Sequence, residues 1–466
     1  MNRRSLRNRI FDENELESES SELETSSEYE ENDDERSERS SDDSFESDSS
    51  DIEPLSQEIL EGSAVNLDIR MNSKNGLIEY TKEPFVRGRR FSFRHQSNVS
   101  KGPTAFAISA VDSPLSAFVL ILSPIEEHIL RMTNLFGART YRNNWEHLTI
   151  QQLRAYFGLL LLAGVYRSYG ECVTQLWNVD KGRAIFRKTM SLDMFKKIQR
   201  CIRFDDREER NRRDKLSPIR FVFDKWTAHL KTLYTVGKTV TIDEQLVPFR
   251  GRYPFRQYVP SKPAKYGIQI WIICDSESYY THNAQVYLGR VANTAVERNV
   301  GQRVVLDLCH GLTSRNVTCD NFFTTYALAK DLHKQKMTIV GTIRKNRAEL
   351  PPILLDMKRK PVFHTEFVYE PQLQAILLSY VPKKNRFVTL LSTYHRGLEI
   401  DQSAKKKPNL ITFYNKTKGG VDTLDQMVGT FRSKRKVNRW PMALFCNMLD
   451  ISALNAYIIF THIFSD

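Results

Sequence analysis

Three aspartates of this 466-residue chain lie in local sequences that favour chemistry over simple surface exposure. Asp243 ends the β-branched run in TVTIDEQLV, Asp320 ends that in NVTCDNFF, and Asp422 follows a glycine pair in KGGVDTLDQM, where a helix is predicted to begin. A carboxylate at the end of a buried strand is costly to desolvate, so it is expected at a functional edge of a sheet. The alternative is three unrelated turn residues, because Asp favours turns.

Carboxylates that are brought together repel one another and raise each other's pKa unless a cation joins them. Oxygen-only ligands on a rigid sheet suit Mg²⁺ or Mn²⁺, which keep several waters and accept substrate phosphates. Two such ions would activate the attacking oxygen and stabilise the leaving oxygen of a phosphodiester. The three aspartates together therefore predict metal-dependent chemistry on a phosphodiester.

The elements predicted for residues 237–349 would bring two of these aspartates together. In chain order they are the strands TVTIDEQLV, YGIQIWIICD and HNAQVYLG, a helix near RNVGQRVVLDLCHGL, the strand NVTCDNF, the helix TTYALAKDLHKQK and the strand MTIVGTIR. Three strands, helix, strand, helix, strand is the order of an RNase H-like sheet. That order places Asp243 on the first, central strand and Asp320 on the fourth strand, directly beside it.

The flanking segments complete an α/β chain. Residues 114–236 carry apolar residues at 3–4 spacing and predict a helical domain, with Thr149 as one N-cap. Residues 350–410 contain short β segments divided by Pro, Lys and Asn turns, which predict a β-rich insertion. Residues 411–466 then form the last part of the catalytic core with a C-terminal helix, so Asp422 returns to the site after a long excursion.

Charge divides the chain in two. Residues 1–62 hold 22 acidic and 6 basic residues, a net charge of −16, which leaves 62 basic and 34 acidic residues and a net of +28 for the remainder. The Ser/Glu/Asp-rich tail has too few apolar residues to offset its ordering entropy, so it is predicted to be disordered. The basic body predicts a polyanionic partner, with nucleic acid as the leading candidate.

The remaining composition excludes several classes of protein. The six cysteines are scattered with no CxxC pair, no signal peptide opens the chain, and the run FGLLLLAGVY is half the length of a membrane span, so a reducing compartment without a membrane partner is expected. The sequence contains no GxxxxGK[ST] loop, so no nucleotide cofactor is predicted. Residues 63–113 are a basic linker, whose arginines either contact phosphates or act as a nuclear address: Arg87, Arg89, Arg90 and Arg94.

Long ordered strings around the aspartates resemble the piggyBac-type DNA transposases. They include TIDEQLVPFRGRYPFRQYVPSKPAKYGIQIW, VTCDNFFTTYALAKDL, VGTIRKNRAELP, FYNKTKGGVDTLDQM and RSKRKVNRWPMALFCNMLDISALNAYIIF, so the resemblance covers residues 114–466. It implies an RNase H-like domain with the catalytic triad Asp243, Asp320 and Asp422, and Asp425 as a fourth metal-binding acid one helical turn on. It further implies divalent metal, double-stranded DNA at transposon ends and TTAA targets, and a helical domain that grips DNA and helps to form a homodimer.

Basic residues crowd the same neighbourhood and predict a DNA channel, because positive charge around a cation-binding triad is sensible only if a polyanion joins the site. The predicted DNA contacts are Arg250, Arg252, Lys262, Lys265, Arg344, Arg347, Lys434, Arg435, Lys436 and Arg439. Trp440 matches a family tryptophan, and either stacks on an unpaired base or packs the final helix.

The sequence departs from the family at its end. Family members commonly continue into a Cys/His-rich zinc-binding module, whereas this sequence stops at Asp466 without one. A truncated product, a domesticated relative and a compact transposase are the three interpretations. Two functions are therefore carried forward: a nuclear DNA-cutting and -joining enzyme, and a non-catalytic DNA-binding or chromatin protein derived from one.

Overall fold

The computed structural model describes residues 70–84, 101–260, 262–289 and 297–465. The predicted disordered tail, residues 1–62, lies outside these ranges. Residues 63–69 and 85–100 of the predicted basic linker lie outside them as well, and with them the four linker arginines.

The described chain begins with short strands and a helical region. Its strands are β1 (Met71–Asn72), β2 (Glu79–Tyr80) and β3 (Gly102–Pro103). Its helices are α1 (Ala105–Ala110), α2 (Pro114–Tyr141), α3 (Ile150–Val165), α4 (Val173–Leu176), α5 (Ala184–Thr189), α6 (Leu192–Cys201) and α7 (Arg220–Leu233). The predicted N-cap at Thr149 is confirmed, because Thr149 Oγ1 accepts from the backbone of Gln152 while the Gln152 side chain accepts from the backbone of Thr149.

Strands and helices alternate after α7. The strands are β4 (Tyr234–Thr235), β5 (Thr239–Pro248), β6 (Gln257–Tyr258), β7 (Tyr266–Asp275), β8 (Thr281–Val286), β9 (Asn316–Cys319), β10 (Thr338–Thr342), β11 (Thr365–Glu370), β12 (Ala375–Lys383) and β13 (Arg386–Ser392). The helices are α8 (Val300–Leu308), α9 (Tyr326–Lys334), α10 (Asn409–Lys418), α11 (Gly420–Thr430) and α12 (Trp440–Phe464).

Nine of the strands in the described ranges form one mixed sheet, in the order β11-β12-β13-β10-β9-β5-β7-β6, with β8 also on β7. β5 is antiparallel to β7 and parallel to β9, and β9 is parallel to β10. The predicted β-rich insertion supplies β11, β12 and β13, which continue this sheet because β13 pairs with β10. The predicted mixed α/β fold is confirmed.

Apolar side chains cover the central sheet on both faces. One core joins β5, β7 and β8 to the helices α2–α7, α11 and α12, and a second core packs α8 and α9 on the other face. Helix α12 is long and apolar enough to cross a membrane, yet 78% of its most apolar window is buried within the fold. It is a core helix here, and its polar side chains bond both neighbouring layers: Ser452 accepts from the Trp226 indole at 2.9 Å, and Asn455 bonds the Thr281 backbone.

Candidate carboxylate site and DNA interface

Asp243 and Asp320 are placed side by side by the register of β5 and β9. The last paired residues of these parallel strands are Ile242 and Cys319, so Asp243 and Asp320 are the next residue on each strand. Asp243 lies in the middle of β5 rather than at its end, because β5 continues against β7 to Pro248 after β9 has stopped. Both aspartates were predicted to lie at an edge of the sheet. They lie instead at the point where β9, the parallel neighbour of β5, ends.

Both aspartates have a raised pKa. Burial raises the pKa of Asp243 well above its usual range, and the charges of Glu244 and Asp320 raise it further. Burial and the charge of Glu244 raise the pKa of Asp320 to about 6, although the backbone N–H of Phe322 and the charge of Arg344 oppose this rise. Glu244 is not among the site residues predicted from the sequence, although its position directly after Asp243 was a signal for it.

The third predicted acid arrives on α11, which approaches the sheet closely at its first residue. A Cβ on Gly420 would lie 2.5 Å from Thr241 Oγ1 and 3.2 Å from Cys274 Sγ, so only glycine fits between the helix and strands β5 and β7. Asp422 follows two residues later, and its side chain is 66% exposed. The glycine pair that marks this motif in the sequence therefore lets the helix start against the sheet.

Lys262 brings a positive charge among these acids. Its Nζ donates to the backbone oxygen of Glu244 at 3.1 Å and lies 3.6 Å from Asp422 Oδ1. Burial alone lowers the pKa of Lys262, but the carboxylates of Asp243, Glu244, Asp422 and Asp425 outweigh burial and raise it. Lys262 is thus an internal cation of the cluster, and its contact with DNA stays a prediction.

Asp425 is held by a buried chain of amides that sequence reasoning did not find. Gln245 Nε2 donates to Asp425 Oδ1 at 3.0 Å, and Asn447 Nδ2 donates to Gln245 Oε1 at 2.7 Å. Because Asn447 occupies the Gln245 oxygen, only the Gln245 nitrogen is left for Asp425. Burial raises the pKa of Asp425, while Gln245 and Lys262 lower it. The spacing of Asp243 and Gln245, two residues apart on one strand, was the available signal.

The donor chemistry of this cluster fits a hard divalent cation. All of its side-chain donors are carboxylate oxygens, and burial together with neighbouring carboxylates raises the pKa of Asp243 and Asp320 despite the charges of Lys262 and Arg344. Within the described part of the chain, no three acidic, histidine or cysteine side chains are already arranged as a metal site. Asp243 and Asp320 are together, whereas Asp422 is directed towards Lys262.

Apart from Lys262, the predicted basic residues fall into three groups. Arg250, Arg252, Lys265 and Lys436 are exposed. Arg344 and Arg347 are half-buried after β10, and Arg344 is close enough to Asp320 to lower its pKa.

The third group is three basic residues before α12, which donate to backbone oxygens of other segments. Arg435 is only 6% exposed and donates from Nη1 to the Ser168 backbone oxygen at 2.7 Å. Arg439 donates from Nη1 to the Ile202 backbone oxygen at 2.6 Å, and Lys434 donates to a backbone oxygen of β5. Their DNA contact stays a prediction, and the structure gives all three a role in anchoring this segment.

Trp440 is half-buried, with its ring packed edge-to-face against Phe255 at 5.1 Å. It is also near Tyr253, at 6.5 Å between ring centroids. Packing at the start of α12 therefore accounts for much of its surface, and stacking on a base stays a prediction.

Comparison with known proteins identifies the family. A family model described as Transposase IS4 matches residues 113–457, and the chain belongs to this piggyBac-type family of transposases. Human piggyBac transposable element-derived protein 3 is 26% identical over 345 residues, covering 69% of this chain and 56% of that protein. Human piggyBac transposable element-derived protein 2 is 22% identical over 349 residues, covering 70% and 58%. The chain thus spans little more than half the length of these relatives.

A solved structure is similar over most of the fold. It is a piggyBac transposase synaptic complex with hairpin DNA, and its transposase chain is 36% identical with a TM-score of 0.73. The similarity covers 78% of each chain. The sequence-based resemblance to piggyBac-type transposases is confirmed.

Proposed function

We propose that this chain is the core of a piggyBac-like transposase that cleaves and joins DNA strands at TTAA sites with divalent metal. The observation that carries the proposal is the juxtaposition of Asp243 and Asp320 where the pairing of β5 with β9 ends. Burial and the charge of Glu244 raise the pKa of both acids, so a bound cation would stabilise their ionised forms. The strand order β8-β7-β5-β9-β10 supports an RNase H-like core around them.

Each acid has a distinct part in this proposal. Asp243 and Asp320 would hold Mg²⁺ or Mn²⁺ from the sheet, and Asp422 and Asp425 would complete the ligand set from α11. Two bound ions supply the activation of a water or 3′-hydroxyl and the stabilisation of the leaving oxygen. Gln245 fixes the direction of Asp425, so that acid is positioned in advance.

The proposed substrate is double-stranded DNA, with transposon ends and a TTAA target. The exposed basic residues would contact phosphates, which positions DNA without reading its sequence. Lys262 would attract a phosphate towards the carboxylates, where its ammonium already lies. The synaptic complex of the similar transposase with hairpin DNA supports a DNA partner. A homodimer and a nuclear location are proposed with it, since the resemblance and the substrate both favour them.

The test is strand joining by the full chain, using a pre-cut duplex end and a TTAA target duplex in Mn²⁺. Asp243→Asn and Asp320→Asn should each abolish joining while leaving DNA binding in chelator within about twofold, because they remove ligands rather than phosphate contacts. Asp307→Asn is the matched control, since Asp307 is an exposed acid on α8. Joining by either site variant at the native rate would overturn the carboxylate site.

The second candidate is a transposase-derived protein that binds DNA without cutting it. It is favoured by Asp422, whose carboxylate is exposed and paired with Lys262 rather than grouped with the two sheet acids. No joining or cleavage by the native chain under Mg²⁺ or Mn²⁺, with salt-dependent DNA binding retained, would establish this candidate over the enzyme.

A further inference from the structure

The segment that runs from β5 into the hairpin of β6 and β7, between Glu244 and Asp275, carries a concentration of positive charge. Residues 245–274 contain five basic residues and no acidic residue. Arg250, Arg252, Arg256 and Lys265 are all exposed. Within the described ranges, no carboxylate forms a salt bridge with any of these four. A surface of this kind suits a polyanion.

Two exposed aromatic rings lie on the same hairpin. Tyr258 of β6 is paired with Tyr266 of β7, and the ring centroids are 4.7 Å apart with a tilt of 40°. Their exposed fractions are 54% and 38%. The Arg256 guanidinium lies 5.4 Å from the centre of the Tyr266 ring. Aromatic and guanidinium surface is therefore offered to solvent in the middle of the basic stretch.

The turn of this hairpin leads directly to the carboxylates. Val259 N donates to Lys265 O at 2.8 Å and closes the turn. Lys262, inside that turn, reaches the Glu244 backbone and Asp422. Lys262 is four residues from each tyrosine along the chain, so a DNA strand bound at Lys262 would pass the same hairpin.

We propose that Tyr258 and Tyr266, backed by Arg256, form a stacking platform for an unpaired base of the DNA strand that enters the carboxylate site. The bases of an intact duplex already stack on one another, so their faces are closed to a side chain. An unpaired base offers its face, and stacking on an aromatic ring is tolerant of sequence because every base has one. Trp440, the stacking residue predicted from the sequence, is half-buried against Phe255 and offers less surface.

The platform rests on the proposed DNA-binding function, and one experiment separates the two. The full chain is titrated in chelator, so that no cleavage occurs, with a labelled blunt duplex and with the same duplex carrying a four-nucleotide single-stranded TTAA extension. The double variant Tyr258→Leu/Tyr266→Leu keeps apolar bulk and removes the aromatic faces. Tyr457→Leu on α12 is the matched control, because Tyr457 is 63% exposed and lies outside the hairpin.

We expect the double variant to lose about fivefold or more in affinity for the extended duplex, as the loss of one stacked base implies. Its affinity for the blunt duplex should stay within about twofold, and Tyr258→Phe/Tyr266→Phe should restore binding to the extended duplex. Equal loss on both duplexes, or no loss on either, would overturn the platform and leave the proposed function standing. Failure of the native chain to bind the blunt duplex in a salt-dependent manner would overturn the proposed function itself.

Discussion

Lys262 Nζ lies 3.6 Å from Asp422 Oδ1, so an ammonium group of the chain neutralises an acid that the family resemblance assigns to a metal ion. The same ammonium donates to the backbone of Glu244, beside Asp243. An internal cation therefore acts on the same cluster of negative charge that the proposed metal ion would bind. The balance between them can be measured.

Lys262→Met should make the fold more dependent on metal. The variant leaves the repulsion of the acids uncompensated, so its melting temperature in chelator should fall below that of the native chain. Its gain in melting temperature on addition of Mn²⁺ should be larger than the native gain, because the ion then has more repulsion to relieve. Lys265→Met, at an exposed lysine of the same turn, is the control and should behave as the native chain does. An unchanged response in Lys262→Met would remove Lys262 from the cluster.

Asn447→Asp should disturb Asp425 from a distance. The new acceptor would draw the Gln245 amide nitrogen towards position 447 and turn its oxygen towards Asp425, leaving two acceptors face to face. We expect a loss of about 1–3 kcal/mol in the free energy of unfolding, the range for a buried group left without its partner. Urea unfolding measures this loss. Asn438→Asp, at an exposed asparagine, should change the free energy of unfolding by less than about 0.5 kcal/mol. Equal effects at the two positions would refute the support of Asp425 by Asn447 through Gln245.

Gly420→Ala should push α11 away from the sheet, because the added Cβ would lie 2.5 Å from Thr241 Oγ1 and 2.8 Å from Thr241 Cβ. Overpacking of this kind costs about 1–3 kcal/mol. Gly429→Ala is a control on the same helix, since its Cβ would meet nothing within 4 Å. That control should be neutral or slightly stabilising, as Ala is the better helix former. Thermal unfolding of the two variants decides the point, and equal melting temperatures would contradict the close approach.

Asp450 predicts a pH dependence of stability. It is buried on α12, it accepts from Ser433 N at 2.8 Å, and burial raises its pKa to about 7. A raised carboxyl pKa favours the folded state at low pH, and this contribution is lost as pH rises from about 4 towards 7. Asp450→Asn has no such proton to lose.

The stability of Asp450→Asn relative to the native chain should therefore increase by on the order of 2–4 kcal/mol between pH 4 and pH 8. Denaturant unfolding at several pH values measures the difference, and Asp307→Asn provides the comparison at an exposed acid. A constant difference between Asp450→Asn and the native chain across that range would show that Asp450 is ionised throughout.

The double variant Arg344→Ala/Arg347→Ala should weaken strand joining while sparing metal binding and the cleavage of transposon ends, because these residues are predicted to contact target DNA. Removing Arg344 also removes a charge that lowers the pKa of Asp320, so the assay belongs at pH 8, where Asp320 stays ionised. Arg359→Ala/Arg386→Ala, at two exposed arginines, is the control. Equal loss of cleavage and joining would place the two residues in the chemistry itself.

The sequence was most informative where local pattern and chain topology agree. The β-branched runs before Asp243 and Asp320, with the helix between strands, were enough to predict that the two acids are neighbours, as the register of β5 and β9 confirms. The cap at Thr149 needed only residues within one helical turn.

Other parts of the site depend on contacts between distant segments. Gln245 and Asn447 are 202 residues apart, and nothing local marks either as a partner of Asp425. Arg435 and Lys436 are adjacent basic residues, yet the first is buried on carbonyl groups and the second is exposed. The direction of each side chain in the folded protein decides whether a basic residue is buried on carbonyl groups or exposed. The charge of the residue does not predict that direction.

Helix α12 has a consequence for the order of events during synthesis. It carries Asn447, which completes the support of Asp425, and Asn455, which bonds the backbone of β8 at Thr281. Both contacts join the last helix to strands made more than 170 residues earlier. A growing polypeptide still holding α12 in the ribosome exit tunnel lacks them, so the support of Asp425 is completed only after translation has passed this helix.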